Sequence, residues 1–365
     1  MLFLLSSRVH PRDLLNLMIH NSKLLVVLGP TSSGKSELAV KLAKKFNGEI
    51  ISCDSRQIYR GMDLGTGKIK GRWVKTNSSN LSYKSNFVYK SIPHHLIDFQ
   101  NPARQYSVAR FGREAKKIIA DIIRRGRLPI LCGGTMHWID AVVYNQIIPN
   151  VKPDPKLRAK LEKQPADVLF KRLLKLDSVR AKTIDRFNKR RLVRALEIVI
   201  STGNPVPQLA TSNSQLETLL IGITLPQTDL YKKIDRRLKQ RIKQGMIKEV
   251  QNLHHRSLPL VGRVREGVKN NGLSWKKLES FGLEYKYISQ YLQSYPASSP
   301  LVGEVSRGVA YKKMLSQLSY AIKHYSRRQL TWWKRNNEIK WIKPDIKKAV
   351  ALTKKFLTQK EKLVL

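Results

Sequence analysis

The sequence predicts an α/β fold: a P-loop parallel sheet with flanking helices, plus a helical insertion. Three observations predict it. The segment Gly29-Pro30-Thr31-Ser32-Ser33-Gly34-Lys35-Ser36 matches G-x-x-x-x-G-K-[ST] and directly follows the apolar run 24–28. Apolar runs and amphipathic patterns then alternate to about residue 134, the order of a parallel sheet with covering helices. Beyond Pro153 strand-like runs become rare and basic helical patterns take over.

Taken in order, LLVVL (24–28) reads as a buried strand, SELAVKLAKKF (36–46) as an amphipathic helix and EIISCD (49–54) as a second strand. Residues 75–91 are rich in Ser, Asn and Lys and read as an exposed loop. Residues 106–126 read as a helix closed by Gly126, and 128–134 as a third strand. LLIGITL (219–225) is a late strand able to rejoin the sheet. Over 229–253, Leu230, Ile234, Leu238, Ile242, Met246, Val250 and Leu253 recur every three or four residues, a helical period.

This divides the chain into a loose extension (1–20), a core (21–150), an insertion (151–215), a return to the core (216–342) and a solvated basic tail (343–365). Met18 is an alternative start, because the first strand begins five residues later. LPLVGRVREGV (258–268) and SPLVGEVSRGV (299–309) agree at seven of eleven positions and read as two inserted surface loops, about 257–270 and 295–310. Such insertions cost little, since closure entropy grows slowly with length.

Lys and Arg number 69 against 26 Asp and Glu, a net charge of +43, which points to a polyanionic partner. The 41% hydrophobic content is enough for a core and excludes wholesale disorder. Cys53 and Cys132 are too few for a disulfide framework, and free thiols fit a reducing cytoplasm. No apolar run reaches the roughly 18–20 residues of a membrane span; the charge alone fits nucleic acid or an anionic membrane surface, and no membrane partner is expected.

In the motif, backbone N–H groups would face phosphate oxygens, Lys35 would add a point charge and the Ser36 hydroxyl suits Mg²⁺. It specifies a diphosphate or triphosphate and leaves open whether a nucleotide carries it. The later strand runs into Gly133-Gly134-Thr135 where a nucleotide hydrolase would usually carry an Asp. The second strand does end in Asp54, at the strand end where open α/β sheets bind ligands. Asp54 suits a general base, or equally a loop or cap carboxylate.

The stretches GPTSSGKS (29–36), IISCDSRQIYRGMDLGTGK (50–68), PHHLID (93–98), RLPILCGGT (127–135), KRRLVRALEI (189–198), GLSWKKLESFGLEY (272–285) and RRQLTWWKR (327–335) together resemble the tRNA dimethylallyltransferase family. The resemblance spans roughly residues 22–342. It implies transfer of a five-carbon group from dimethylallyl diphosphate to N6 of adenosine 37 of tRNA, with Gly29–Ser36 holding the donor diphosphate and Mg²⁺ at Ser36. It also implies catalytic roles for Asp54 as base, Thr135 as donor to the bridging oxygen and Arg237 on the diphosphate. Ser55, Arg56 and Gln57, with Arg190, Arg191 and Arg194, match stretches that contact tRNA; Asp54 belongs with them through its hydrogen bond to the adenine.

The chain departs from the family pattern at Cys53 and at Met136, His137 and Trp138. Cys53, Trp332 and Trp333 are expected in the core, and His94 and His95 as structural hydrogen-bonding groups. Arg236, beside Arg237, is an equal candidate for the clamp. The alternatives are a P-loop nucleotide or small-molecule kinase and a non-catalytic RNA binder. A monomer is expected.

Overall fold

The computed structural model describes residues 22–75, 85–146, 149, 151–207, 216–255, 272–295 and 304–359. The extension 1–20 and the first repeat, 258–268, lie outside them. The chain forms two compact units: Tyr144–Ser214, and the rest. The second unit starts earlier than residue 151 because the helix before it ends at Val143.

The first unit is built on one sheet. Its described strands are β1 (Ser22–Leu28), β2 (Gly48–Cys53), β3 (Arg72–Lys75), β4 (Ser85–Tyr89), β5 (Ile92–His95), β6 (Leu128–Gly133), β7 (Leu216–Ile223) and β8 (Lys340–Ile342). Their order is β3-β4-β5-β2-β6-β1-β7-β8. β1 lies between β6 and β7, parallel to both, with Val27 opposite Cys132 and Ile221. Leu24–Val27 are fully buried, as a continuous apolar strand between two neighbours requires.

Around the sheet run α1 (Lys35–Lys45), α2 (Val108–Arg124) and α3 (Met136–Val143). Ser107 caps α2, accepting from Arg110 N at 3.2 Å. The sheet-facing core joins Leu25, Val27, Leu42, Ile130 and Ile221.

Three expectations need correction. The segment 75–91 is not simply a loop: β4 pairs antiparallel with β3 and β5, extending the sheet by a hairpin. Phe87, buried and edge-on to Trp73 at 5.8 Å, supplies the apolar anchor that its polar neighbours concealed. The tail after residue 342 is not all solvated: α13 (Ile346–Thr358) is capped by Asp345 and buries Ala349, Thr353 and Phe356. Ala349 joins the α1-side core. Lys23 Nζ donates to the carbonyls of Phe356 (2.7 Å) and Gln359 (2.9 Å), tying the end of α13 to β1. Residues 304–309 of the second repeat are not a loop but the opening turns of α12 (Glu304–Trp333).

The apolar pattern over 229–253 is split into α8 (Gln227–Lys243) and α9 (Met246–His255). Gly245 lies between them at φ 98°, a left-handed turn open to glycine. α10 (Trp275–Ser280) and α11 (Leu283–Ser294) follow, and Leu278, Tyr285 and Ile288 are fully buried.

The second unit is helical: α4 (Pro155–Glu162), α5 (Ala166–Leu176), α6 (Ser178–Thr183) and α7 (Lys189–Thr202). They enclose their own core of Leu161, Leu169, Leu173, Leu192 and Leu196. Buried Glu197 accepts from Arg158 Nη2 at 2.7 Å, from Arg194, and from Asp154 N at 2.7 Å.

Candidate active site

The site forms at the carboxyl ends of β1, β2 and β6, where a doubly wound sheet leaves its crevice. The turn after β1 runs through Gly29 to Gly34, and Gly34 enters α1 at φ 93°, a conformation a side chain would strain. Lys35 Nζ folds back onto Pro30 O at 3.2 Å, and Ser36 lies exposed on the first turn of α1. A pocket of about 180 Å³ opens over this turn, lined by Thr31, Lys35, Ser36, Asp54, Arg237 and Tyr325 among others.

Asp54 follows β2. Its Oδ1 accepts from Arg56 N at 3.0 Å and Gln57 N at 3.3 Å, which fixes the carboxylate at the head of its own turn. Ser55, Arg56 and Gln57 also line the pocket. Thr135 follows β6. Its N–H donates to Cys53 O (3.1 Å), and its Oγ1 accepts from Ser55 N (3.0 Å) and donates to Ser55 Oγ (3.3 Å). The turns after β2 and β6 are thereby joined.

Arg237, on α8, reaches the pocket and donates to Gly67 O at 2.9 Å, whereas Arg236 is exposed. Burial lowers the Arg237 pKa, assisted by Arg241; Glu284 and Asp54 oppose it. Burial also lowers that of Lys35, against the pull of Cys132 and Asp54. Two desolvated cations beside one carboxylate make a site that an anion would stabilise.

Residues that the sequence reading did not single out complete the frame. Glu249 accepts from the backbone N–H of Asp63 (2.9 Å), Leu64 (2.6 Å) and Gly65 (2.9 Å), and from Tyr285 Oη at 2.7 Å. Arg241 donates to Leu64 O (3.0 Å) and Gly65 O (2.9 Å), and pairs with Glu284 at 3.0 Å. The loop that meets Arg237 is thus held by its N–H groups and its carbonyls. Gln329, on α12, accepts from Thr31 N at 3.0 Å and donates to Gly134 O at 2.7 Å, bridging the phosphate turn to the turn carrying Thr135. Tyr325, one helical turn earlier, is pushed up to about 12 by burial and by Asp54. Helical spacing was the available signal: 237/241 and 325/329 are i,i+4 pairs on one face.

His94 Nδ1 lies 2.9 Å from Ile92 O, and His95 Nε2 lies 2.7 Å from Glu49 Oε2; both are buried, and His94 also lines the pocket. Cys53 and Trp333 are buried in the core; Trp332 donates Nε1 to Asp140 Oδ2 at 2.9 Å. Of the arginines on α7, Arg190 and Arg191 are exposed. Arg194, half-buried, pairs with Glu197 and donates to Val151 O at 3.1 Å, because a buried carboxylate needs its cations.

Family models for IPP transferase and isopentenyl transferase match residues 57–336 and 22–79. The chain belongs to the IPP transferase family. Among relatives, a tRNA dimethylallyltransferase 2 of Shewanella sediminis is 35% identical over 88% of this chain and 93% of its own length. A tRNA dimethylallyltransferase of Pelotomaculum thermopropionicum is 34% identical over 88% and 90%. The solved tRNA isopentenylpyrophosphate transferase of Bacillus halodurans superposes with a TM-score of 0.57 at 30% identity, covering 92% of this chain and 96% of that one. A eukaryotic dimethylallyltransferase acting on tRNA shares the fold at a TM-score of 0.69 and 22% identity, over 93% and 81%. As an IPP transferase family member, the chain draws no support for the kinase reading from these comparisons. No described helix is long and apolar enough to cross a membrane.

Among the described residues no cluster of three His, Cys, Asp or Glu is placed to hold a metal. The donor set still fits Mg²⁺, which commonly takes one or two protein oxygens and completes its shell with phosphate and water. Ser36 Oγ, exposed at the pocket, is the oxygen that would serve.

Proposed function

We propose that this chain transfers a dimethylallyl group from dimethylallyl diphosphate to N6 of adenosine 37 of tRNA. The observation that carries the proposal is the convergence of Lys35, Arg237 and Asp54 on one pocket; Thr135 does not line it but is hydrogen-bonded to Ser55, which does. The phosphate turn then holds the donor's diphosphate. Bound at Ser36, Mg²⁺ would neutralise charge on that diphosphate.

The chemistry follows from the residues. The allylic C1–O bond breaks as the N6–C1 bond forms, and the electron pair leaves on the diphosphate oxygen. Lys35 and Arg237 face that growing negative charge as fixed cations in a desolvated site, where such groups act most strongly. The Thr135 hydroxyl turns from Ser55 Oγ to the bridging oxygen. An exocyclic amine conjugated with a purine is a weak nucleophile, so Asp54 accepts the N6 proton as it bonds. Asp54 Oδ1 is occupied by backbone N–H groups, which orients the carboxylate.

Adenosine 37 leaves its stack to reach the pocket, at a cost of about a few kcal/mol. Phosphate contacts from the basic surface, Arg190 and Arg191 among them, offset it. Buried, free Cys53 and Cys132 suit a reducing cytoplasm.

The test is incubation of the full chain with labelled dimethylallyl diphosphate and unmodified tRNA, with ATP as the competing acceptor. Label is expected on tRNA. Label on ATP, or none on tRNA, overturns the reading.

A further inference from the structure

We propose that Phe187 is a stacking platform for an unpaired base of the RNA substrate. The inference rests on the tRNA reading above and adds a contact within the helical unit.

Phe187 is 77% exposed, the most exposed large apolar side chain among the described residues. It stands outside the unit's apolar core. Its position is fixed from below. Phe187 N donates to Asp185 Oδ1 at 3.1 Å, Asn188 N donates to Asp185 O at 3.0 Å, and Lys189 N donates to Phe187 O at 3.1 Å. The turn thus presents a ring to solvent on three hydrogen bonds, directly before α7. An aromatic held this rigidly gives up little conformational freedom when it is covered.

The surroundings select the partner. The Arg186 guanidinium lies over the Phe187 ring, 4.8 Å from its centroid. Arg190 and Arg191 are exposed on the next turn. Among the described residues, none of Arg186, Lys189, Arg190 and Arg191 forms a salt bridge. Across Tyr144–Ser214 there are fifteen Lys and Arg against six Asp and Glu. An apolar protein partner would not need this excess, and a duplex would leave the ring unused. Single-stranded nucleic acid uses both parts: cations follow the backbone while an aromatic face stacks on a base. Arg186, already over the ring, extends the stack by a cation–π contact.

The test titrates wild type, Phe187→Ala and Phe187→Tyr with an anticodon-type RNA stem–loop and with a blunt RNA duplex of equal phosphate number, over a range of salt. Phe187→Ala should bind the stem–loop about 5- to 150-fold more weakly, the range of one lost base stack. The loss should be the same factor at every salt concentration, because a neutral ring releases no counterions. Phe187→Tyr should bind as wild type, and the duplex should not distinguish the three. Equal stem–loop affinity of Phe187→Ala and wild type, an equal loss on the duplex, or a changed salt slope would each overturn the proposal. Failure of the wild type to prenylate tRNA, with the stem–loop loss intact, would overturn the reaction and leave the stacking contact standing.

Discussion

Replacing Gln329 by leucine would remove a side chain that touches two turns of the active site at once. Its amide is 1% exposed, with Nε2 on Gly134 O at 2.7 Å and Oε1 accepting from Thr31 N at 3.0 Å. Leucine fills much of the volume but satisfies neither group. The buried Gly134 carbonyl then goes unpaired, at about 1–3 kcal/mol, and the part-buried Thr31 N–H loses a bond of about 1 kcal/mol. The total is roughly 2–4 kcal/mol. Part of it should appear as lower thermal stability. The rest should appear in catalysis, because the phosphate turn and the Thr135 turn lose their common brace. Each 1.4 kcal/mol that falls on the transition state slows transfer about tenfold. Gln329→Glu separates the two effects: it still accepts from Thr31 N, but sets a carboxylate against a carbonyl and near the diphosphate. It should therefore raise the donor KM more than Gln329→Leu does at comparable stability loss. The assay is single-turnover transfer at saturating tRNA with varied donor, alongside thermal unfolding. A Gln329→Leu variant with wild-type rate, donor KM and Tm would refute the brace.

Asp54→Asn should slow single-turnover transfer by about 100-fold or more while tRNA affinity stays near wild type; an unimpaired rate would remove Asp54 from the mechanism. Lys35→Ala and Arg237→Met should change donor kinetics and leave the salt dependence of tRNA binding alone. Arg191→Gln should instead lower that slope by at most about one; Kd against salt for each variant decides. Burial pushes the Glu197 carboxyl up, but hydrogen bonds from Arg158, Arg194 and the Asp154 N–H pull it down to about 2 from 4.5. The folded value is depressed, so Glu197 contributes stability that is present above pH 4.5 and lost as pH falls toward 2. Urea unfolding of wild type and Glu197→Gln at pH 6 and pH 3 should show the stability gap narrowing at the lower pH; a constant gap would refute it.

Much of the site was legible because phosphate binding imposes local spacing. The Gly29–Ser36 run, the Asp after a strand and the Gly-Gly-Thr after another each sit within a few residues of their own element. The pieces that escaped are held by distant partners. Glu249 acts on backbone 184–186 residues away, so its role has no local signature, and Gln329, which reaches Gly134, is marked locally only by its spacing from Tyr325. β4 and α13 escaped for a related reason: a Lys- or Ser-rich surface masks the few apolar residues, Phe87 or Ala349 and Phe356, that dock them. The pairing of Arg194 with Glu197 escaped because a basic helix does not say which cation a buried carboxylate has claimed.

The seating of β1 between β6 and β7 bears on how the chain is made. β1 emerges early from the ribosome, but β7 begins only at Leu216, and the helix that Lys23 anchors runs to Thr358. One edge of the most apolar strand therefore stays unpaired until most of the chain has been synthesised. The unit 144–214, with its own core, can close in the meantime. Pairing at such sequence separation is intrinsically slow and leaves strand edges open to aggregation. Slowing translation once β7 has cleared the ribosome, or supplying a chaperone that covers apolar strands, should raise the yield of active enzyme more than any change to the helical unit.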